Sequence, residues 1–501
     1  MIVATALGWW LLLQVFGWVA SPLCFRLFRW LPDRGYALAR PLGLLLTGYL
    51  LWLGGSLGFW SNGIGATLAA LVIVAAGGAW FYRARRRGDA ATLWGWLREQ
   101  RAYVLSVEVL FLVALVGWTA FKAHNPNLET AGGEKWMEIA FVNATLRDDG
   151  IPPPDPWLSG FGISYYYFGY VLMAMITRLS GLAATVAFNL FVPTLFALTL
   201  SGAFGLVYNL VVARFRSRDN QMTLDKNSES FTVSVWSVFG APRCVLHALV
   251  LGRRPGMSPA TLAASTARAW GVLYGFAGAT FVGILGNLEG LLEVLHSRGL
   301  LSAGFWRWLD IKDINVPPVD GSWMPQRFMW WWRASRVIHD CSLQGLASGN
   351  CNPPGGDWEV IDEFPFFSFL LGDVHPHVLA LPFVLLALGL ALSVFLRVLS
   401  PVGEGGDDGA GGRMGLVQRI LGGRVEWVLT AVCLGALGFL NTWDFPIYLG
   451  VLVVAVAVAR VLSGGAGWLS ETLLIGLLLG VPGLLLYLPF YLSFSSQAGG
   501  V

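Results

Sequence analysis

The sequence is poor in charge for its length. Of 501 residues, 13% are Asp, Glu, Lys or Arg, whereas soluble proteins carry about 25%. This scarcity excludes an ordinary water-soluble enzyme and a disordered chain, because disorder requires high charge and few apolar residues. The formal net charge of +3 leaves no basic footprint for nucleic acid. Five cysteines, without the spacing of a zinc site, are too few for a disulfide scaffold.

Apolar residues take the place of charge: 55% of the chain is hydrophobic, with 24 Trp and 31 Phe. A membrane crossing takes about 20 apolar residues, so the sequence predicts an all-α, polytopic transmembrane helix bundle with about 11–12 spans. The apolar runs that predict spans lie at 2–21, 36–57, 63–82, 102–121, 163–180, 186–212, 268–285, 377–399, 425–441, 444–462 and 468–490.

Positive charges in short loops predict the orientation of these spans. The Arg-rich segment Arg83–Arg87 marks an inside loop, so loop 122–162 is expected outside. The Arg-rich stretch 397–424 is also expected inside, so the span at 377–399 begins outside. The sequence therefore predicts a multi-pass protein of the cell membrane whose candidate site loops are extracytoplasmic.

Loop 122–162 and the start of the span at 377–399 are both expected outside, so an even number of crossings must separate them. The apolar runs between them give an odd number. One solution adds a marginal span at 232–252. The other makes 182–212 a re-entrant pair broken near Pro193. We favour the second solution because it keeps the arginines at 214–218 inside.

Composition divides the chain into two predicted domains. Residues 1–100 form extra N-terminal transmembrane helices, and residues 101–501 form the main membrane domain. The main domain contains a polar insertion at 213–267 and a long outer loop region at 286–375, which is rich in Trp, Pro and charge.

Loop 122–162 carries the first candidate site. Apolar residues recur at helical spacing from Trp136 to Leu146 and predict a short amphipathic helix on the membrane surface. Glu134 and Glu138 stand four residues apart, so both are expected on one face of it. Like charges on one face repel unless a cation or a proton lies between them. We therefore predict a catalytic role for both, although spacing alone favours the alternative of a solvated helix face.

The segment Asp373-Val-His375-Pro-His377 carries the second candidate site, at the mouth of a predicted span. Alternate residues of an extended backbone share one side, and Pro376 favours extension at His375. Asp and His side chains bind divalent cations such as Mg or Mn, so Asp373, His375 and His377 are predicted metal ligands. A catalytic role is also predicted for Asp373. The alternatives are His acting as acid or base near neutral pH, or interfacial anchoring and helix capping.

Arg333 and Arg336 follow three Trp residues on the predicted outer side, where the charge rule does not favour arginine. Such a guanidinium can hold a phosphate in a bidentate geometry. The alternative is an interfacial Trp belt with snorkelling Arg side chains.

Further aromatic residues and an aspartate complete the predicted substrate-binding set: Trp157, Tyr165, Tyr166, Tyr167 and Asp444. From physics alone, three tyrosines at the start of a span are typical of an interfacial aromatic belt. An aspartate at the start of a span is likewise more typical of a helix cap than of a site.

Several motifs resemble those of the "YYY" family, multispanning bacterial and archaeal proteins of unknown function. The resemblance extends from about residue 100 to the end, with a break at 213–267. It rests on Pro152-Pro-Pro-Asp-Pro-Trp157, Tyr165-Tyr-Tyr-Phe-Gly-Tyr170, Glu363 to His377, Asn441-Thr-Trp-Asp-Phe-Pro446 and Leu488-Pro-Phe-Tyr491.

The layout of that family is similar to GT-C glycosyltransferases, which transfer a sugar from a polyprenyl-phosphate donor on the outer face of a membrane. The resemblance implies that a carboxylate in the first outer loop acts as base or metal ligand. Glu134 matches that position. Glu138 stands where the family often has Asp, so a carboxylate is kept there.

The resulting hypothesis is an inverting membrane glycosyltransferase with a polyprenyl-phosphate sugar donor and membrane lipid as partners, and no nucleic acid. Glu134 or Glu138 would deprotonate the acceptor. The other carboxylate, with Asp373 and a His, would bind a divalent ion or orient the acceptor. Arg333 or Arg336 would neutralise the leaving phosphate, where charge develops in the transition state.

Two other functions stay open from the sequence. A transporter or lipid flippase would use a broken helix near Pro193 and would line a continuous path with its polar residues. A non-catalytic membrane assembly protein would have the outer carboxylates dispersed in space.

Overall fold

Helices account for all the regular structure in the part of the chain that the computed structural model describes, apart from one isolated bridge between Pro154 and Gly162. This confirms the predicted all-α fold. The described residues are 2–84, 91–128, 133–224, 259–286, 288–317, 321–327, 330–337, 361–400, 413–465 and 467–494. The predicted span at 232–252 and most of the predicted polar insertion therefore lie outside them.

The α-helices of these residues are, in chain order, α1 (Ile2–Leu27), α2 (Ala39–Ser56), α3 (Ile64–Ala84), α4 (Leu93–Glu99), α5 (Arg101–Lys122), α6 (Lys135–Arg147), α7 (Phe168–Ser180), α8 (Ala184–Leu224), α9 (Pro259–Gly283), α10 (Leu288–Ser297), α11 (Ala303–Leu309), α12 (Pro365–Leu371), α13 (Pro376–Leu399), α14 (Arg413–Leu421), α15 (Arg424–Leu440), α16 (Asp444–Leu462), α17 (Trp468–Leu485) and α18 (Leu488–Ser493). Within the same residues, 3₁₀ helices lie at Tyr36–Leu38 and Trp330–Arg336.

Eight segments of the described chain are helices long and apolar enough to cross a membrane, which confirms a polytopic helical bundle. They lie in α1, α2, α3, α5, α8, α13, α16 and α17. The predicted span at 425–441 folds as α15, with 17 residues, and the predicted span at 468–490 is interrupted between α17 and α18.

The predicted span at 163–180 is wrong. Its helix, α7, has 13 residues, about 20 Å of length, whereas the hydrocarbon core is about 30 Å thick. At its N-terminal end, the hydroxyl of Tyr167 accepts a 3.2 Å hydrogen bond from Trp52, near the end of α2. At its C-terminal end, Arg178 donates to the side chain of Asn62 at 2.7 Å, in the α2–α3 loop. Both ends of α7 therefore lie at one end of the bundle.

The predicted re-entrant pair at 182–212 is also wrong, because α8 continues unbroken through Pro193. Near its start, Asn189 donates to the carbonyl of Pro126, just after α5, at 2.9 Å. α8 therefore begins at the same end of the bundle at which α7 ends. A single proline removes one backbone hydrogen bond, which a long helix packed on its neighbours tolerates. Without α7, the number of predicted crossings between loop 122–162 and the start of α13 becomes even.

Clustering of contacts divides the chain into two units. The first comprises Met1–Leu128, Trp136–Ala279 and His375–Val501. Its centre is formed by α2, α8 and α13, whose apolar windows are 89%, 89% and 78% buried. The apolar windows of α5, α16 and α17 are only 22% buried. Apolar surface on the outside is what lipid-facing helices require.

Aromatic side chains fix the start of α7 in the first unit. Trp52 stacks on Tyr487 with 5.4 Å between ring centroids, and Phe168 stacks on Phe439 at 5.1 Å. Tyr167 contacts the edge of Phe439 at 4.8 Å. These rings join α7 to α2, to α15 and to the α17–α18 junction, so the short helix is anchored by packing.

A buried carboxylate joins helices at the other end of the first unit. Asp33, in the α1–α2 connection, accepts hydrogen bonds from the Tyr103 hydroxyl at 2.6 Å, the Asn209 amide at 2.8 Å and the Gly35 backbone N–H at 2.8 Å. A buried charge is tolerated only when its oxygens are satisfied in this way. The network ties the connection to α5 and α8.

The second unit comprises Glu129–Lys135 and Thr280–Val374. Its described helices are α10, α11, α12 and the 3₁₀ helix Trp330–Arg336. A small core is formed by Trp306 of α11 with Ile311 and Ile314 of the segment after it, and Leu292 and Leu295 of α10 pack against it.

Cysteine labelling tests the placement of α7. In a variant lacking the five native cysteines, Ser61→Cys and Ala183→Cys should react with a membrane-impermeant maleimide from the same side of sealed vesicles. The reason is that both ends of α7 lie at the α2–α3 end of the bundle. Arg98→Cys, in α4, should react only from the opposite side. Reaction of Ala183→Cys from the Arg98 side would show that α7 crosses the membrane.

Candidate functional site

Helix α6 forms where an amphipathic helix was predicted, but it begins at Lys135, so Glu134 precedes it. The carboxylate of Glu138 is fully buried, whereas Glu134 is exposed. The predicted common face for the two carboxylates is therefore wrong. The chain changes direction at Gly133, whose φ is +72°, a conformation that glycine adopts without steric cost.

The buried face of α6 is also not the predicted apolar one. Glu138, Phe141, Val142 and Thr145 are buried, whereas Trp136 is 64% exposed. The helix thus turns a carboxylate towards the protein interior, which is the costly arrangement unless that carboxylate has a partner.

The C-terminal end of α6 is held by two polar side chains of the first unit. Arg178 donates to the carbonyls of Thr145 at 2.6 Å, Leu146 at 3.3 Å and Asp148 at 3.4 Å. Asn62 donates to the same Thr145 carbonyl at 3.0 Å. The last carbonyls of a helix have no partner within the helix, and a cation there is favoured by the helix dipole. Arg178 and Asn62 thereby fix α6 and the position of Glu138.

His375 is a partner of Glu138. The His375 Nδ1 lies 3.8 Å from Glu138 Oε1, and His375 is 22% exposed. His375 occupies the N-cap of α13, with Pro376 as the first helical residue. Pro is favoured there because the first helical N–H groups have no intrahelical acceptor. A buried carboxylate and a partly exposed imidazole thus meet in the first unit.

His377 was expected to follow Asp373 and His375 along one extended side, and this is wrong. Because α13 begins at Pro376, His377 lies in the first helical turn. Its ring centroid is 5.5 Å from that of His375, and its imidazole interacts electrostatically with Asp444. His377 thus lies on the helix, within electrostatic range of Asp444, the first residue of α16.

Asp444 does not cap its helix, contrary to the prediction. The N-cap of α16 is Trp443, without a side-chain cap hydrogen bond. Asp444 hydrogen-bonds with Asn441 and lies in the first turn, where a negative charge is favoured by the helix dipole.

In the second unit, Asp373 and Glu134 are neighbours. The backbone N–H of Glu134 donates to Asp373 Oδ2 at 3.4 Å, and Asp373 is only 1% exposed. A Cβ at Gly133 would collide with this carboxylate. Both this collision and the positive φ of Gly133 therefore exclude a side chain at that position. Asp373 thus lies under the turn that carries Glu134.

The predicted phosphate-binding arginines lie in the 3₁₀ helix of the second unit. Arg333 Nη2 is 3.6 Å from Asp313 Oδ2. Arg336 donates to the carbonyl of Ser335 at 2.9 Å and lies over the ring of Trp332 at 5.5 Å. Both guanidiniums are therefore held by neighbours within the unit.

The predicted aromatic substrate-binding residues divide by exposure. Tyr167 is 1% exposed and belongs to the packing around Phe439. Tyr165 and Tyr166 are half-buried and contact each other at 5.1 Å. Trp157 is 61% exposed, with Phe141 against it at 5.6 Å.

Sequence reasoning missed Asn62 and Arg178 in the first unit, and the buried Glu289 and Glu293 of α10 in the second. All four are polar residues in or beside apolar runs. That placement is the signal that could have found them, because such residues are costly unless they serve a purpose.

Together, the eight apolar helices of the described residues and a buried carboxylate–histidine pair define a multispanning membrane protein. The chain belongs to the family described as Uncharacterized membrane protein (DUF2298), whose model matches residues 46–501. The description of that family carries neither the YYY name nor a likeness to GT-C glycosyltransferases. No curated protein and no solved structure matches the chain.

Removal of the Arg178 side chain tests the anchoring of α6. Arg178→Ala should lower the free energy of unfolding by about 2–3 kcal/mol, because hydrogen bonds from charged donors are worth about 1.5–3 kcal/mol each. The measurement is denaturant-induced loss of helical circular dichroism in detergent. The matched control is Arg98→Ala, an exposed position of α4, which should have little effect. Equal midpoints for the two variants would contradict the anchoring role.

Proposed function

We propose that this protein is a glycosyltransferase of the cell membrane that moves a sugar from a polyprenyl-phosphate donor to an acceptor hydroxyl on the outer face. The observation that carries the proposal is the pair formed by the fully buried Glu138 and the partly exposed His375. The membrane location agrees with the eight apolar helices, and the GT-C-like layout is part of the proposal.

The pair is costly to build, which argues for a chemical role. A buried, ionised carboxylate needs a compensating charge. A protonated His375 or a divalent cation would supply it. Because 22% of His375 is exposed, a ligand can approach the pair from the imidazole side, whereas Glu138 is sealed.

We assign the compensating charge to a divalent cation such as Mg or Mn. Glu138 and His375 offer a carboxylate oxygen and an imidazole nitrogen 3.8 Å apart. Oxygen and imidazole ligands suit Mn, and carboxylates suit Mg. Such an ion would offset the negative charge of the donor phosphate.

The remaining groups take roles according to their exposure. Exposed Glu134 is the proposed base: it accepts the proton of the acceptor hydroxyl as the oxygen bonds to the anomeric carbon. The bond from that carbon to the phosphate oxygen breaks in the same step, which inverts the configuration. Arg333 and Arg336 are proposed to bind the leaving polyprenyl phosphate, where negative charge develops.

Surface aromatic residues are proposed to position the substrates. Trp157 offers an exposed ring to a sugar, and half-buried Tyr165 and Tyr166 offer hydroxyls near it in the chain. We do not assign a substrate contact to Tyr167, because its ring is fully packed. His377 with Asp444 is proposed to hold the mouth of α13 against α16.

An apolar cavity supports a lipid-linked donor. It has a volume of about 250 Å³ and lies between α15 and α17 in the first unit. Burial of an isoprenoid tail there would contribute about 0.8 kcal/mol per methylene. The residues that line the cavity are Trp427, Val428, Ala431, Pro482, Leu485 and Leu486.

A transporter or lipid flippase is the second candidate, and one observation favours it. Arg40 of α2 forms an ion pair with Glu108 of α5, both within candidate spans, and Gln14 of α1 donates to Glu108 at 3.2 Å. Ionisable residues within spans often mark transport paths. Movement of the donor across vesicles without transfer of its sugar would favour this candidate.

Reconstituted vesicles with a labelled polyprenyl-phosphate sugar and a hydroxyl acceptor test the transferase. Glu138→Gln and His375→Gln should each lower sugar transfer at least about tenfold. Each should weaken Mn²⁺ binding, measured by electron paramagnetic resonance, by a similar factor, because a change in the groups around a bound metal lowers its affinity. Glu134→Gln should lower transfer while leaving Mn²⁺ binding unchanged, because that carboxylate is not a proposed ligand.

The control for this assay is Glu99→Gln, an exposed carboxylate of α4 that should behave like wild type in both measurements. Wild-type transfer by Glu138→Gln and His375→Gln would overturn the proposed centre. Loss of transfer with unchanged Mn²⁺ binding would instead reject the metal and leave the pair as acid and base.

A further inference from the structure

Helix α10 of the second unit has an inverted distribution of polarity. Leu288 and Leu291 are 72% and 60% exposed, whereas Glu289 and Glu293 are 6% and 2% exposed. Glu289 and Glu293 stand four residues apart, so their side chains lie on one face of the helix. The unit therefore buries two neighbouring carboxylates while leaving leucines outside.

Two arginines and a third carboxylate surround the pair. Arg327 forms an ion pair with Glu293, and its Nη1 lies 3.2 Å from Asp313 Oδ2. Arg333, in the 3₁₀ helix that packs on α10, lies 3.6 Å from the same Asp313 oxygen. Together with Glu289, these groups bring charged side chains from α10, the segment after α11, the chain at 327 and the 3₁₀ helix into one cluster.

Two of the three carboxylates, those of Glu289 and Glu293, are buried, whereas the Asp313 side chain is 43% exposed. The two carboxylates that lie side by side on α10 are therefore the ones kept from water. Both carboxylate oxygens of Glu289 are buried and accept no hydrogen bond from a donor in the described residues. The polar neighbour of Glu289 is instead the Glu293 carboxylate, and two acceptors can share a hydrogen bond only if one is protonated.

We propose that Glu289 and Glu293 form a proton-binding site. Glu289 carries the proton and donates a hydrogen bond to the Glu293 carboxylate. One bound proton removes the negative charge of one of two neighbouring buried carboxylates. It also converts the contact between two acceptors into a hydrogen bond. With the proton bound, α10 keeps its carboxylate face against the Arg327 side of the unit; without it, two buried negative charges repel each other.

The titration of Glu289 agrees with this assignment. Burial, with the neighbouring Glu293 as the next cause, raises the pKa of the Glu289 carboxyl from 4.5 to about 8, against the opposing effect of Arg327 and Arg333. A raised pKa means that the folded unit binds the proton more tightly than the unfolded chain. Its contribution to stability is complete below the unfolded value and is lost as the pH rises through about 8. Loss of the proton thus destabilises the packing of α10 as the pH rises above neutrality.

Infrared spectroscopy of the full-length protein in lipid nanodiscs tests the site. Wild type should show a carboxyl C=O band of a protonated side chain that disappears with a midpoint near pH 8. Glu289→Gln, which mimics the protonated form, should lack this band and should lose the alkaline decrease in thermal stability. Glu363→Gln, an exposed carboxylate of the same unit, should retain both.

The decisive results are defined even if Glu289→Gln does not fold. A wild-type band that does not titrate between about pH 6 and about pH 10 would overturn the proposal, because a carboxyl with a raised pKa must ionise in this range. A titrating band that survives in folded Glu289→Gln would assign the proton elsewhere and would also overturn it.

Discussion

The cost of burying a charged group in an apolar interior is the constraint on which the described structure depends. An ionised carboxylate or guanidinium that leaves water is destabilised by several kcal/mol unless partners replace its hydration. Asp33 meets this requirement with Tyr103 and Asn209, and Arg178 meets it with the carbonyls at the end of α6. Glu138 is paired with His375, whose Nδ1 lies 3.8 Å from Glu138 Oε1. In each case the partners come from different helices, so satisfying the charge also joins the helices.

Apolar character proved ambiguous as a sign of a membrane span. The run at 163–180 reads like a crossing because residues 168–177 are all buried, and a helix enclosed by protein is as apolar as one enclosed by lipid. Length separates the two cases for α7, but its start at Phe168 depends on packing of Tyr167 against Trp52 and Phe439. Those partners are remote in sequence, so periodicity alone did not reveal the short helix.

The candidate site was predictable in its residue types and not in its pairings. Glu138 was selected by its four-residue spacing from Glu134, and Asp373 and His375 were selected because Asp and His bind divalent cations. The expected partnership of Glu138 with Glu134 assumed one helical face, and the helix begins one residue too late for it. The expected alignment of His377 with His375 assumed an extended chain, and Pro376 begins a helix there instead.

The sequence by itself determined the class of protein, most of the spans and the identity of the polar residues that require an explanation, because composition and period are local properties. Only the tertiary structure decided that α7 is a short helix with both ends at one end of the bundle, that Glu138 faces inward to His375, and that His377 lies in the first turn of α13. The physical reason is that a buried polar group is stabilised by partners from distant parts of the chain, and no local pattern encodes which of several candidates will reach it.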